Sequence, residues 1–108
     1  GVVLWFTGLS GVGKTTVANS VKEVLASRNL SVLILDGDQV RANRHSKLGY
    51  SAAEIKENNN LIVDLCVEKR RKYDVTIIAV ISPFRLSRER ARNKLSPRFY
   101  EIYLFASF

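Results

Sequence analysis

Gly8-Leu9-Ser10-Gly11-Val12-Gly13-Lys14-Thr15 is a glycine, four free positions, a second glycine, a lysine and a hydroxylated residue. Its reading decides the rest. Glycines allow a turn so tight that successive backbone N–H groups converge on phosphate oxygens, and the lysine reaches the outer phosphates of the same ligand. The Thr15 hydroxyl is placed to ligate Mg²⁺, and a helix starting at Lys14, Thr15 and Thr16 adds its positive dipole end. Upstream, Val2-Val3-Leu4-Trp5-Phe6 is an apolar run suited to a strand buried on both faces. Downstream, Val17, Val21, Val24 and Leu25 recur at helical spacing. Strand, glycine loop and helix in that order separate a nucleoside triphosphate cradle from an accidental glycine-rich turn. Residues 8–16 are therefore the expected ATP-binding set.

The chain has 108 residues, the size of one domain, and 46% of them are hydrophobic, enough for a core. That is short for a kinase with donor site, acceptor site and lid. Because the chain starts on an apolar strand and stops at Leu104-Phe105-Ala106-Ser107-Phe108, the C-terminal lid segment is expected to lie outside it. The formal net charge of +7 suits an anionic partner such as a nucleotide. Arg85, Arg88, Arg90, Arg92, Lys94 and Arg98 form the densest basic stretch, but no aromatic residues interleave it at a base-stacking spacing. A solvated helix face is expected there, not a nucleic-acid surface. The single cysteine, Cys66, cannot form an intrachain disulfide and sits in an apolar context that marks it as core. No apolar run reaches membrane-spanning length, so a cytoplasmic protein without membrane contact is expected.

Further along, Ser31 to Leu35 reads as a second buried strand, ending in Asp36-Gly37-Asp38. Acids at that end of a strand lie where open α/β sheets bind ligands. Ser51 and Glu54 form a capping box for a helix running to about Lys72, with Ile55, Ile62, Leu65 and Cys66 on its buried side. Asn58, Asn59 and Asn60 are poor helix-interior residues, so they line either a solvated face or a ligand. Val75 to Ile81 is the third strand, Phe84 to Leu95 a basic helix stopped before Pro97, and Phe99 to Phe105 a fourth strand. Alternating strands and helices predict an α/β fold: a parallel sheet with helices on both faces, the three-layer sandwich of P-loop nucleotide kinases.

Taken together, Gly8 to Ala18, Leu35-Asp36-Gly37-Asp38 with Val40-Arg41, Leu48-Gly49-Tyr50-Ser51, Glu57-Asn58, and Ile81-Ser82-Pro83-Phe84-Arg85 resemble the adenylylsulfate kinase family in order and spacing. Members of that family phosphorylate the 3′-hydroxyl of adenosine 5′-phosphosulfate (APS) with MgATP, giving PAPS in sulfate assimilation. The resemblance implies that Asp38 orients or deprotonates the acceptor hydroxyl while Lys14 serves the transferred phosphate, and that Asp36 joins Thr15 at the Mg²⁺. Arg41 would hold the acceptor's anionic group, Tyr50 would stack on its adenine where the family usually has Phe, and Asn58, Ile81, Ser82 and Pro83 would line its pocket. A homodimer and a fusion to a sulfurylase are both compatible with it. Three family arginines are replaced by Ile55, Asn60 and Leu61. Either Lys56, Arg44 or Lys47 supplies the charge, or the acceptor is a different anionic molecule. A truncated nucleotide-binding module without turnover is the remaining alternative.

Overall fold

A computed structural model describes residues 1–8, 13–37, 51–80 and 84–104, apart from the side chain of Lys14. Among these residues, four strands, β1 (Val2–Gly8), β2 (Val32–Asp36), β3 (Val75–Ala79) and β4 (Phe99–Leu104), alternate with three helices. These are α1 (Lys14–Ser27), α2 (Ala52–Lys69) and α3 (Arg85–Leu95); α2 tightens at its end into a 3₁₀ turn, Arg70–Lys72. The strands form one sheet in the order β2-β3-β1-β4, and every neighbouring pair is parallel.

Both faces of that sheet are covered, which is why its strands read as continuous apolar runs. Val3 and Trp5 of β1, Leu35 of β2, Ile78 of β3 and Phe99 of β4 pack with Ile62, Val63 and Cys66 of α2 and with Ala91 and Leu95 of α3. On the other face, Phe6 and Ile77 meet Ala18 of α1, with Leu4, Ile34, Val21 and Leu25 around them. The period-two alternation of side chains thus divides each strand between two cores. Burial pushes the Cys66 thiol up to about 11, against small opposing effects from Arg70 and the N-terminus. It therefore stays neutral and acts as packing.

β1 extends two residues beyond the apolar run because β4 continues beside it, Thr7 opposite Tyr103 and Gly8 opposite Leu104. At the start of α2, the Ser51 hydroxyl accepts from the Glu54 amide at 3.2 Å and donates to its carboxylate at 2.7 Å. Such a cap contributes about 1 kcal/mol. The connection leaving β1 passes through α1 on one face, whereas the one leaving β3 passes through α3 on the other. The two connections run in opposite directions along the sheet, so a crevice opens at the carboxyl ends of β1 and β3. Among the described residues, no helix is long and apolar enough to cross a membrane.

Candidate active site

Three strand ends converge on that crevice. Phe6, Ala79 and Asp36 are level across β1, β3 and β2, so Gly8 lies two residues beyond that row and Gly37 one. At the mouth of β1, Gly13 caps α1 with φ 76, in the left-handed region that favours glycine, and contributes no side-chain cap. The first helical bond runs from the Val17 N–H to the Gly13 carbonyl. The amides of Lys14, Thr15 and Thr16 consequently lack intrahelical acceptors, and no acidic residue stands in this turn to neutralise it. A helix start of this kind is built to receive an anion.

The Thr15 hydroxyl donates to Oδ2 of Asp36 at 2.7 Å, joining the first turn of α1 to the end of β2 across 21 residues of sequence. Asp36 is buried. A hydroxyl and a carboxylate in contact are both hard oxygen donors, and Mg²⁺ commonly takes only one or two protein oxygens, filling its shell with water and substrate phosphates. The pair therefore fits the cation that the motif calls for.

Immediately after Asp36, the chain is wedged. A Cβ on Gly37 would come within 3.0 Å of Val80 Cγ2 and 3.4 Å of the Ala79 carbonyl oxygen. Nδ2 of Asn58 donates to the Gly37 carbonyl at 3.1 Å. Asn58 is fully buried, and its Oδ1 has no hydrogen-bond partner among the described residues.

The asparagine run thus divides three ways. Asn60 is exposed, as on a solvated face. Asn59 turns inward and donates to the Ile55 carbonyl at 2.8 Å, one turn back. Asn58 bridges to β2. The two alternatives read from sequence omitted this third possibility, a buried amide used as a tie between elements. Ile55 is buried, with only 9% of its surface exposed, so this position carries packing. Next to it, the exposed Lys56 holds its ammonium 4.9 Å from the ring centroid of Phe84, the residue that follows 81–83. Of the three cations considered for the missing charge, Lys56 is within the described residues, whereas Arg44 and Lys47 are not. Leu9, Ser10, Gly11, Val12, Asp38, Arg41, Tyr50, Ile81, Ser82, Pro83 and the side chain of Lys14 also lie outside them.

Gly37 and Phe84 escaped the sequence reading as contributors to the site. The signal for Gly37 was present, since a glycine between two acids at a strand end often marks close backbone approach. Nothing comparable marked Phe84 as a seat for Lys56. The basic helix α3 spends its charge locally: Arg85 pairs with Glu89 at 2.9 Å, and Arg88 and Arg92 both reach Glu101, at 3.3 and 3.0 Å.

The family pattern described as adenylylsulphate kinase matches residues 1–108. A probable adenylyl-sulfate kinase of Archaeoglobus fulgidus is 41% identical over 101 residues, covering 94% of this chain and 64% of the relative. The adenylyl-sulfate kinase of Klebsiella pneumoniae is 43% identical over 105 residues, covering 96% of this chain and 52% of the relative. The chain therefore spans between half and two thirds of the length of these relatives. Among solved structures, the Mycobacterium tuberculosis APS kinase CysC in complex with AMPPNP and APS superposes with a TM-score of 0.85 at 30% identity, covering 95% of this chain and 61% of that one. A gluconokinase from Sinorhizobium meliloti, at a TM-score of 0.74 and 14% identity, covers 98% of this chain and 58% of its own, and shares the fold. By the pattern matched along its whole length and by the identity of these relatives, the chain belongs to the adenylylsulfate kinase family.

Proposed function

We propose that this chain carries the donor site and part of the acceptor site of an enzyme that transfers the γ-phosphoryl group of MgATP to the 3′-hydroxyl of APS. The observation that carries the reading is the Thr15 to Asp36 hydrogen bond, which joins the helix start of the phosphate loop to the acid at the end of β2. Phosphoryl transfer is mostly positioning and charge stabilisation, and it needs these parts together. Thr15 and Asp36 would hold the Mg²⁺, which would supply charge stabilisation for the transferred phosphoryl group. The amides at the start of α1 and the Lys14 ammonium bind the ATP phosphates. Asp38, two residues after Asp36, is the acid for the acceptor hydroxyl, and Arg41, Tyr50, Ile81, Ser82 and Pro83 form the acceptor's surroundings.

The test is phosphate transfer from MgATP to APS by this chain, alone and within any longer polypeptide that carries it. Lys14→Ala should reduce the rate on the order of 100- to 1000-fold, because it removes a charge aimed at the transferred group. ATP binding without transfer to APS in any form would sink the reading. A panel of other nucleotide-like anionic acceptors would then decide between a changed acceptor and a binding module.

The buried Ile55 bears on the acceptor, since a family arginine charge is absent there. Lys56, seated on Phe84 beside residues 81–83, is the compensating cation in this proposal. Lys56→Ala should raise KM for APS by about three- to tenfold, equivalent to roughly 1 kcal/mol, with KM for ATP unchanged. An unchanged KM for APS would remove Lys56 from the acceptor site.

A further inference from the structure

We infer that the pole of the sheet opposite the crevice carries a second anion site, a basic pocket for a small ligand bearing two or more phosphate or sulfate charges. The pocket is a cavity of about 310 Å³ at the amino ends of the strands, where Ser31, Arg71, Lys72, Tyr73, Asp74 and Arg98 line it beside the start of β1. That volume lies at the lower end of the range for small-ligand sites. Its walls are tied into the sheet: the Ser31 carbonyl accepts from the Val75 N–H at 3.0 Å, the Asp74 carbonyl from Val2 at 3.0 Å, and the Arg98 carbonyl from Val3 at 2.8 Å. The charged side chains therefore stand on a fixed backbone.

Three cations line this one cavity, against a single carboxylate. That carboxylate is already committed. Oδ2 of Asp74 accepts from the Ser31 N–H at 2.8 Å and from its hydroxyl at 3.1 Å, while Ser31 Oγ accepts from the Asp74 N–H at 2.9 Å. Gathering three like charges around one space costs free energy in the empty protein, and an anion between them recovers it. Guanidinium groups in particular match the oxygens of phosphate and sulfate. The electrostatics of helix ends accounts for only part of the cluster. Arg71 and Lys72 belong to the 3₁₀ turn that ends α2, where cations offset the helix dipole. Arg70 of the same turn serves the carbonyls there, donating to Leu95 at 2.6 Å and to Gly1 at 2.8 Å. Arg98 belongs to no helix; it precedes β4 and lines the same cavity.

The test is a titration of the protein with sodium pyrophosphate, followed by amide NMR, with sodium chloride at matched ionic strength as control. For a second site, the Ser31, Tyr73, Asp74 and Arg98 amides shift saturably, with a dissociation constant on the order of 1 mM or lower. The double variant Arg71→Gln, Arg98→Gln, altered at two exposed side chains, should weaken that binding about tenfold or more and leave the response of residues 14–16 unchanged. Shifts that sodium chloride reproduces, or that do not saturate by about 10 mM, overturn the inference. An affinity unchanged in the double variant also overturns it, by placing the anion elsewhere. So does binding of a single-stranded oligonucleotide at this pole without any response to pyrophosphate, which would make it a nucleic-acid surface. The readout needs no turnover, so absence of APS phosphorylation would count against the proposed function alone.

Discussion

Asp36→Asn should lower phosphoryl transfer from MgATP on the order of 100- to 1000-fold while leaving the fold intact. The substitution keeps the shape of the side chain and an oxygen that can still accept from Thr15, so the 2.7 Å bond has a neutral replacement. It removes the charge, which is what a divalent cation and the developing charge on the phosphates respond to. Higher Mg²⁺ should recover part of the loss. Thr15→Ala should cost less, because it removes one neutral oxygen donor. If the two side chains act as a unit, the double variant should be no worse than Asp36→Asn alone. Rate constants for the four proteins across a Mg²⁺ series measure this. Full additivity would mean that the bond between Thr15 and Asp36 has no part in function, and an Asp36→Asn rate within about twofold of the original would dismiss the acid altogether.

Gly8→Ala should cost on the order of 3–5 kcal/mol of folding stability, enough to unfold a marginal domain. Gly8 has φ 150, a conformation that side chains rarely adopt, and a Cβ there would collide with the Leu104 carbonyl oxygen. That oxygen is backbone in the neighbouring strand, where Leu104 is paired with Gly8, so relief requires β1 and β4 to separate. Gly13→Ala is the informative control. Its φ of 76 also penalises a side chain, but among the described residues the nearest atom to a new Cβ is Thr16 Cβ at 3.9 Å. Only the conformational cost remains, roughly 1–2 kcal/mol. Denaturant unfolding of the two variants should rank Gly8→Ala well below Gly13→Ala. Equal losses would show that the approach of β4, although close, is easily relieved.

The two glycines thus do different work inside one motif. The sequence pattern requires both without distinguishing them. Gly13 serves the turn of the loop, a local matter that the motif itself expresses. Gly8 serves the packing of two strands more than ninety residues apart, for which no local pattern exists.

The same division runs through the molecule. Apolar strands, helical spacing, the Ser51–Glu54 cap and the phosphate loop were legible in the chain because each depends on neighbours within a turn or two. Alternation then dictated a parallel α/β sheet, since parallel strands need crossovers and these helices were there to make them. Specific short stretches also carried the family, including Asp36-Gly37-Asp38 and residues 81–85. Tertiary structure alone decided the strand order β2-β3-β1-β4 and with it the place where the crevice opens. It alone set Thr15 on Asp36, seated Lys56 on Phe84, and turned Asn58 inward to Gly37 while leaving Asn60 in solvent. These contacts join residues distant in sequence, and their partners are selected by how helices dock on a sheet rather than by residue type. An asparagine reads the same in sequence whether it faces water, a ligand or a strand end, and only the packing around it determines which.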